Sequence, residues 1–215
     1  MRCELCGNKL LVKMKLNMEY PTMIKAKLFA LALTSLTLST AASAFTQTVH
    51  VSKDTHVDTF LCCVQDSNFG AQEVVSVGQF NHYRTQAWLG FDFSNINAFS
   101  KRTSSVLVLP AVTLGDNATE VKVSVGLATQ DWQELDLTFN NKPEFTNIAQ
   151  VTIKTNEPTS VDISDSLYES FAAGDKNLTI VLQTEGGGHF FLPSKESATS
   201  DRERPTIVLN EIIHF

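Results

Sequence analysis

The chain has 215 residues, which is enough for one ordinary domain core, and its formal net charge at pH 7 is −6. Residues 45–215 alone carry 11 Lys and Arg against 21 Asp and Glu, a formal charge of −10. So acidic a domain excludes sequence-independent nucleic-acid binding, which depends on the neutralisation of phosphates by basic side chains.

The first 44 residues are predicted to lie outside the fold. Residues 23–44 contain two lysines, an apolar run and a final Ala-Ser-Ala, which is the pattern of a signal peptide cleaved after Ala44. The apolar run is too short for a transmembrane helix, although an uncleaved anchor is the alternative. Residues 1–22 are interpreted as an over-extended start, and their single Cys-x-x-Cys is not predicted to bind zinc. Residues 45–215 are then one secreted domain, extracellular or, in a bacterium, periplasmic.

Two adjacent cysteines, Cys62 and Cys63, remain after cleavage. They could form a vicinal disulfide, pair between chains or stay reduced, and the sequence leaves these alternatives open. Two cysteines do not make a disulfide scaffold, so the hydrophobic core must stabilise the domain.

Short apolar runs separated by turn residues predict about nine strands. Leu89 and Phe91 alternate with Trp88 and Asp92, as expected of a strand that buries one face. Further strands are predicted at 74–77, 106–109, 121–125, 151–153, 160–163, 178–182 and 206–213. One helix is predicted between residues 164 and 174, with Ser164 as its cap and Gly174 at its end. The sequence therefore predicts an all-β, two-sheet antiparallel β-sandwich, jelly-roll-like, with one short helix.

Eight short motifs follow one another along residues 49–213. They are DTHV at 54–57, NFG at 68–70, VSVG at 75–78, LGFDFS at 89–94, DWQE at 131–134 with LTFNNKP at 137–143, VDIS at 161–164, SKES at 194–197 and RPTI at 204–207. In this order they resemble the DNRLRE-type β-sandwich modules, which include carbohydrate-binding module family 96. Members of that family occur beside polysaccharide-degrading enzymes and in surface proteins, and some recognise alginate-like uronic-acid polymers.

The resemblance implies a non-catalytic module that binds a polysaccharide, with a uronic-acid polymer such as alginate as the candidate ligand. The alternative is a structural or adhesive sandwich that binds cell-surface or matrix proteins. Catalysis is not predicted, because the sequence has no G-x-S-x-G nucleophile motif and marks no pair of carboxylates. Most of the shared motif residues are expected to be architectural, among them Trp132 packed under a loop and Glu134 accepting backbone hydrogen bonds.

The best candidate binding segment is residues 79–86, which is interpreted as a polar loop between two strands. It holds His82, Tyr83 and Arg84, which supply an aromatic ring for sugar C–H groups and a guanidinium for a uronate carboxylate. Trp88 is either a stacking platform or part of a second core layer. An ordinary solvated hairpin is the alternative interpretation of the segment.

His189 or Lys195 is expected on a loop next to residues 79–86. With His82, Tyr83, Arg84 and Trp88, these two residues complete the predicted carbohydrate-binding set. A structural calcium is the cofactor considered, because Ca²⁺ prefers several oxygen ligands and three acids occur close together. These acids are Asp54, Asp58 and Asp66, which do not follow an EF-hand pattern. Surface acids that keep an extracellular protein soluble are the alternative.

Overall fold

A computed structural model describes residues 43–59, 64–80, 83–96 and 99–213. The predictions for residues 1–42, for Cys62 and Cys63 and for His82 lie outside the described residues. The strands are β1 (Ser43–Asp58), β2 (Val74–Phe80), β3 (Tyr83–Asp92), β4 (Ser104–Leu109), β5 (Glu120–Ala128), β6 (Thr146–Lys154), β7 (Thr159–Asp162), β8 (Asn177–Thr184), β9 (Gly188–Pro193) and β10 (Thr206–Ile213). The helix α1 spans Ser164–Ala173, and a 3₁₀ turn spans Asp201–Glu203.

Strand β1 belongs to both sheets of the sandwich. Residues 43–50 pair with β10, and residues 51–58 pair with β3 after a register shift between Val51 and Lys53. The Ser52 hydroxyl donates to the carbonyl of Gly90 at 3.1 Å. Such a bulge bends and twists a strand, which allows it to pass from one sheet to the other.

The two sheets are antiparallel and share β1. One has the order β1-β10-β4-β7, and the other has the order β6-β5-β8-β3-β1. Strand β2 pairs with the first residues of β3, and β9 pairs with β2. The predicted all-β sandwich with one short helix is confirmed.

The main core lies between the sheets and takes alternate residues from every strand. Its largest fully buried side chains include Phe91, Phe93, Phe190, Leu89, Leu107, Leu109, Ile153, Leu167, Leu178, Ile180 and Leu182. Burying one such side chain stabilises a fold by about 1.5–3 kcal/mol relative to leaving it exposed. The sandwich thus rests on an apolar core, as a chain with few cysteines requires.

A second apolar cluster covers the opposite side of β3. Trp88 is 0% exposed there, and its ring meets the edges of Trp132 at 6.5 Å and Phe145 at 5.9 Å. Trp132 donates from Nε1 to Thr179 Oγ1 at 2.7 Å. The interpretation of Trp88 as a ligand-stacking platform is wrong, because the segment between β5 and β6 covers its ring. Its alternative, a second core layer, is what the structure shows.

Helix α1 ends as predicted but begins differently. Gly174 has φ 97° and donates its N–H to the carbonyl of Phe171, which is the left-handed cap that glycine favours. Ser164 is not the N-cap: Ile163 holds that position, and the Ser164 hydroxyl donates to Asp162 Oδ1 at 2.6 Å. Within the described ranges, no helix is both long enough and apolar enough to cross a membrane.

Candidate functional site

Tyr83 and Arg84 belong to strand β3 rather than to a loop. Phe80 pairs with Tyr83, and Gln79 pairs with Arg84, so the strands leave only two residues for the connection. The Arg84 side chain is exposed, and its Nη2 donates to Gln79 Oε1 at 3.4 Å. The prediction of a polar loop over residues 79–86 is therefore wrong, because both strands continue into this segment.

Lys195 lies after β9 and is surrounded by three acids. We call these four residues the acidic hub: Asp54, Glu134, Lys195 and Glu196. Its Nζ lies 3.0 Å from Glu134 Oε2 and also pairs with Glu196, and its backbone N–H donates to Asp54 Oδ2 at 2.7 Å. Glu134 Oε1 accepts the backbone N–H of Asp54 at 2.6 Å. Lys195 therefore links chain segments to one another, and its predicted contact with a ligand has no support in this geometry.

The acidic hub also anchors the turn that contains Asn68. The Asn68 amide donates to the carbonyls of Glu134 and Leu137 at 2.7 and 2.8 Å, and its Oδ1 accepts the N–H of Gly70. A Cβ at Gly70 would lie 2.2 Å from the Glu134 carbonyl oxygen, so this close approach requires glycine. The architectural role predicted for Glu134 is confirmed.

The three acids considered for calcium do not converge. Asp54 and Asp58 are four residues apart on an extended strand, which separates them by about 13 Å. Asp66 instead accepts the side-chain amide of Asn140 at 2.7 Å. Carboxylate oxygens of Asp54, Glu134 and Glu196 do lie within 4.8 Å of one another, but the Lys195 ammonium supplies the positive charge there.

Burial raises the pKa of Asp54 to about 6, although the backbone N–H of Lys195 opposes this shift. Neighbouring carboxylates of Glu196 and Glu134 add to the increase. The hub therefore has a titratable group near neutral pH, and burial of Asp54 is the main cause.

A cavity of about 340 Å³ lies among strands β1, β2, β3 and β9. We call it the trough, and its lining residues are His56, Asp58, Gln72, Val74, Ser76, Gly78, Thr85, His189 and Phe191. Its volume lies at the lower end of the range for small-molecule sites, which is about 300–1,000 Å³. Of the predicted carbohydrate-binding residues whose side chains the structure describes, which are Arg84, Trp88, His189 and Lys195, His189 is the one in this lining.

Strand register brings four of these positions into one row. Asp58 is opposite Thr85, Thr85 is opposite Gly78, and Gly78 is opposite His189. Directly opposed residues of antiparallel strands share a face, so the row crosses four strands. Gly78 has φ 124°, and a Cβ there would lie 2.3 Å from the carbonyl oxygen of Gly188. The close approach of β2 and β9 thus requires glycine at position 78. The row consequently has no side chain between Thr85 and His189.

The polar part of the trough includes His56, Asp58, Ser76 and Thr85. His56 is 6% exposed and stacks on Phe69 at 4.5 Å, and its Nδ1 accepts the Ser76 N–H at 3.3 Å. Burial lowers the pKa of His56 to about 4, so the ring is neutral at pH 7 with its proton on Nε2. The hydroxyls of Ser76 and Thr85 lie 3.1 Å apart. The Thr85 hydroxyl also lies within hydrogen-bond distance of the carbonyl of Gly78, at 3.3 Å. The wall of the trough thus contains hydroxyl, imidazole and carboxylate groups.

The apolar part of the trough is Phe191 with Val74, which are 50% and 42% exposed. Phe191 lies between the fully buried Phe190 and Leu192, so strand alternation fixes its outward direction. Its ring meets the His189 ring edge-on at 5.7 Å. An exposed aromatic face beside directed polar groups is the combination that suits the apolar and hydroxyl faces of a sugar.

Sequence reasoning did not assign His56, Asp58, Thr85 or Phe191 to carbohydrate binding, although Asp58 was considered for calcium and Thr85 lies in the segment 79–86. The signal for Phe191 was present, because strand alternation across residues 188–193 would place His189 and Phe191 on one face. The uniformly apolar run of residues 190–192 hides that alternation. His56 and Thr85 come together through pairing between β1 and β3, which no local pattern shows.

The chain matches a known protein family. The family model described as carbohydrate-binding module family 96 matches residues 45–211, which is most of the chain and contains every residue of the trough. A search of curated proteins finds none that matches.

Proposed function

Because the chain belongs to carbohydrate-binding module family 96, we propose that it binds a polysaccharide through the trough and catalyses no reaction on it. The observation that carries this proposal is the half-exposed ring of Phe191 beside the row that contains Asp58 and Thr85. A sugar ring stacked on Phe191 would direct hydroxyl groups toward the hydroxyls and the carboxylate of that row. The family membership supports the class of ligand, and the trough supports the place.

The polymer belongs to the proposal as well. The resemblance in the sequence implied a uronic-acid polymer such as alginate, with Arg84 as its carboxylate-binding residue. Arg84 is exposed and precedes Thr85 near the start of β3, so its side chain points to the face opposite Thr85. It can therefore contact only a ligand that extends from the trough past the start of β3. A panel of polysaccharides that contains both acidic and neutral polymers separates the two classes.

We also propose that the protein acts outside the cytoplasm, on the strength of the leader in residues 23–44. The mature chain would begin within β1, whose pairing with β10 continues from Phe45 opposite Glu211. An extracellular or periplasmic domain would meet polysaccharides directly.

Affinity electrophoresis against the polysaccharide panel tests the proposal. We expect at least one polymer to retard the protein in a saturable way, while reducing-sugar assays show no release of product. If no polymer binds and pull-downs return surface or matrix proteins, the adhesive alternative replaces the proposal. Release of reducing ends would contradict its non-catalytic part.

A further inference from the structure

A second cavity lies on the sheet that consists of β1, β10, β4 and β7. Its volume is about 320 Å³, which is close to that of the trough. We call it the arginine cavity, and its lining residues are Thr48, His50, Val108, Pro110, Asp201, Arg202, Arg204, Thr206 and Val208. None of these residues lines the trough, so a ligand bound here would occupy a separate site.

Strand register places this lining on the outer face of the sheet. His50 is opposite Thr206, and Thr206 is opposite Val108, so the three residues form one row across β1, β10 and β4. Val49 and Ile207, which are the next residues on β1 and β10, are buried in the main core. Since neighbouring residues of a strand point to opposite faces, the row that contains His50 faces away from the core.

One part of the arginine cavity is apolar. Val108, Val208 and Pro110 are each partly exposed there, and the exposed Thr48 lies opposite Val208 and adds a hydroxyl group. Contact between apolar carbon surface and the C–H face of a sugar ring removes both from water, which favours binding. The described lining contains no Phe, Tyr or Trp, so we expect this site to bind a sugar more weakly than the trough.

The other part of the arginine cavity carries positive charge. Arg202 is exposed, and its guanidinium forms no ion pair or hydrogen bond with the residues that the structure describes. Arg204 is held in place, because its Nη2 donates to the carbonyl of Lys195 at 3.2 Å. The carboxylate of Asp201 lies 4.0 Å from Arg204 Nη1 and 3.8 Å from His50 Nε2. Two guanidinium groups and one carboxylate leave a net charge of +1, even with a neutral imidazole.

This local charge is opposite in sign to the charge of the domain. Residues 45–215 have a formal charge of −10, but salt screens charges that lie more than about 8–10 Å apart at physiological ionic strength. Glu203, the acid between the two arginines in sequence, is outside the lining, and its Oε2 accepts the Thr199 N–H at 2.8 Å. A ligand in the arginine cavity therefore meets a local excess of positive charge.

These features together define a class of ligand. A guanidinium presents parallel N–H donors whose spacing matches two oxygens of one oxyanion. We propose that the arginine cavity is a second glycan site, which binds the carboxylate or sulfate group of an acidic sugar through Arg202 and Arg204, with the sugar ring on Val108 and Val208. The inference takes from the proposed function only that the ligand is a glycan, and it does not depend on binding in the trough.

Titration of ¹⁵N-labelled protein followed by NMR tests this inference, because each backbone amide reports on its own site. The probes are trisaccharides of glucose, mannose and galactose in neutral, uronic-acid and singly sulfated form, together with sodium sulfate alone. We expect at least one acidic trisaccharide to shift the amides of Thr48, Val108 and Val208, with a Kd at least tenfold below those of its neutral form and of sulfate. This Kd should rise at least threefold between 50 and 500 mM NaCl, since exposed charges contribute to it.

Two charge reversals assign the binding to the arginine cavity. Arg202→Glu should raise the Kd at least tenfold at these amides and leave ligand-induced shifts of the trough amides at Ser76 and Thr85 unchanged. Arg102→Glu is the matched control, because Arg102 is also exposed and precedes β4, at the end of that strand opposite to Val108. It changes the net charge equally and should bind like the wild type. Thermal unfolding establishes that both variants fold.

Three results would overturn the inference. They are the absence of shifts at Thr48 and Val208 with every acidic trisaccharide, an equal Kd for Arg202→Glu and the wild type, and sulfate alone binding as tightly as a sulfated trisaccharide. The last result would mean an adventitious ion only. Ligand-induced shifts in the arginine cavity without any in the trough would leave this inference intact and overturn the proposed place of binding, so the two failures are distinguishable.

Discussion

The backbone N–H of Asp54 donates to the carboxylate of Glu134 at 2.6 Å, across 80 residues of sequence. The same carboxylate holds Lys195, whose own N–H returns to the side chain of Asp54. Strand β1, the β5–β6 segment and the segment after β9 are thereby tied at one point. Four of the motifs that identify the family in the sequence, those that contain Asp54, Asn68, Glu134 and Lys195, meet here. The motif of Asp54 also supplies His56 to the trough, so the hub and the trough share one strand.

Replacing Glu134 by Ala should destabilise the domain by about 2–3 kcal/mol. The change leaves the Asp54 N–H without its acceptor and the Lys195 ammonium with one carboxylate fewer, and unpaired groups of this kind cost about 1–3 kcal/mol each. Urea unfolding followed by tryptophan fluorescence measures the effect. Glu144→Ala, an exposed acid in the same inter-strand segment, is the control and should change stability by less than about 0.5 kcal/mol. Equal stability of the two variants would show that the hub does not hold the fold.

Gly70→Ala should destabilise the domain by about 1–3 kcal/mol or more, as overpacking of a rigid site does. The new Cβ would lie 2.2 Å from the carbonyl oxygen of Glu134, so backbone must move. Gly187→Ala is the matched control, because a Cβ there meets nothing within 4 Å. It should be neutral or stabilise the fold slightly by restricting the unfolded chain. Thermal unfolding of both variants tests this prediction. An unfolding temperature of Gly70→Ala equal to that of the wild type would contradict the close contact with Glu134.

His56 should make the domain less stable as the pH falls from about 6.5 to about 4. Its pKa in the folded state is about 4, below the ordinary 6.5, so the unfolded state binds the proton first in this window. The contribution of the neutral His56 ring to the free energy of unfolding is fully present above pH 6.5. Its complete loss at low pH would lower that free energy by about 3 kcal/mol. Asp54 acts in the opposite direction, because its raised folded pKa of about 6 favours folding below pH 3.8 and loses that effect as the pH rises to 6.

A variant separates the two groups. Since His56→Gln keeps Asp54, the stability difference between wild type and variant isolates the imidazole. Urea unfolding at intervals from pH 4 to pH 7 should show this difference shrinking as the pH falls. A difference that stays constant over the whole range would contradict the buried, neutral state of His56.

Exported protein should begin at Phe45. The Ala-Ser-Ala site before it matches the signal-peptidase pattern, and cleavage there removes only the two pairs that Ser43 and Ala44 form with Ile213 and Ile212. The remaining ladder between β1 and β10 should keep the strand in place. N-terminal sequencing of the exported chain checks the position, and a mature protein that still carries Met23 would exclude it.

The sequence predicted those parts of the fold that local patterns determine. Alternation around Leu89 and Phe91 and the glycine at 174 predicted a strand and a helix end that the structure contains. The bulge at Ser52 interrupts the alternation of β1, so neither half of that strand stands out in the sequence. The sequence analysis did not predict β1 or β9, which supply several residues of the trough. It therefore assigned the binding site to residues 79–86, at the connection between β2 and β3.

The burial of Trp88 is a second feature that local sequence patterns could not predict. Its position opposite Leu89 was predictable from strand periodicity, but its burial depends on a segment more than 40 residues later that supplies Trp132 and Phe145. An exposed face and a covered one give the same local pattern. Only the long-range packing distinguishes a second core layer from a binding platform.

Titration of Phe191→Ala with the polysaccharide that binds the wild-type protein tests the central claim most directly. Phe45→Ala is the matched control, because the two rings are 50% and 52% exposed and Phe45 lies outside the trough. Loss of a stacked aromatic ring should weaken binding at least tenfold, about 1.4 kcal/mol, in Phe191→Ala and leave Phe45→Ala like the wild type. Both variants should unfold at nearly the wild-type temperature, since each ring is half exposed. Equal affinities of the two folded variants would contradict the assignment of the trough as the glycan site.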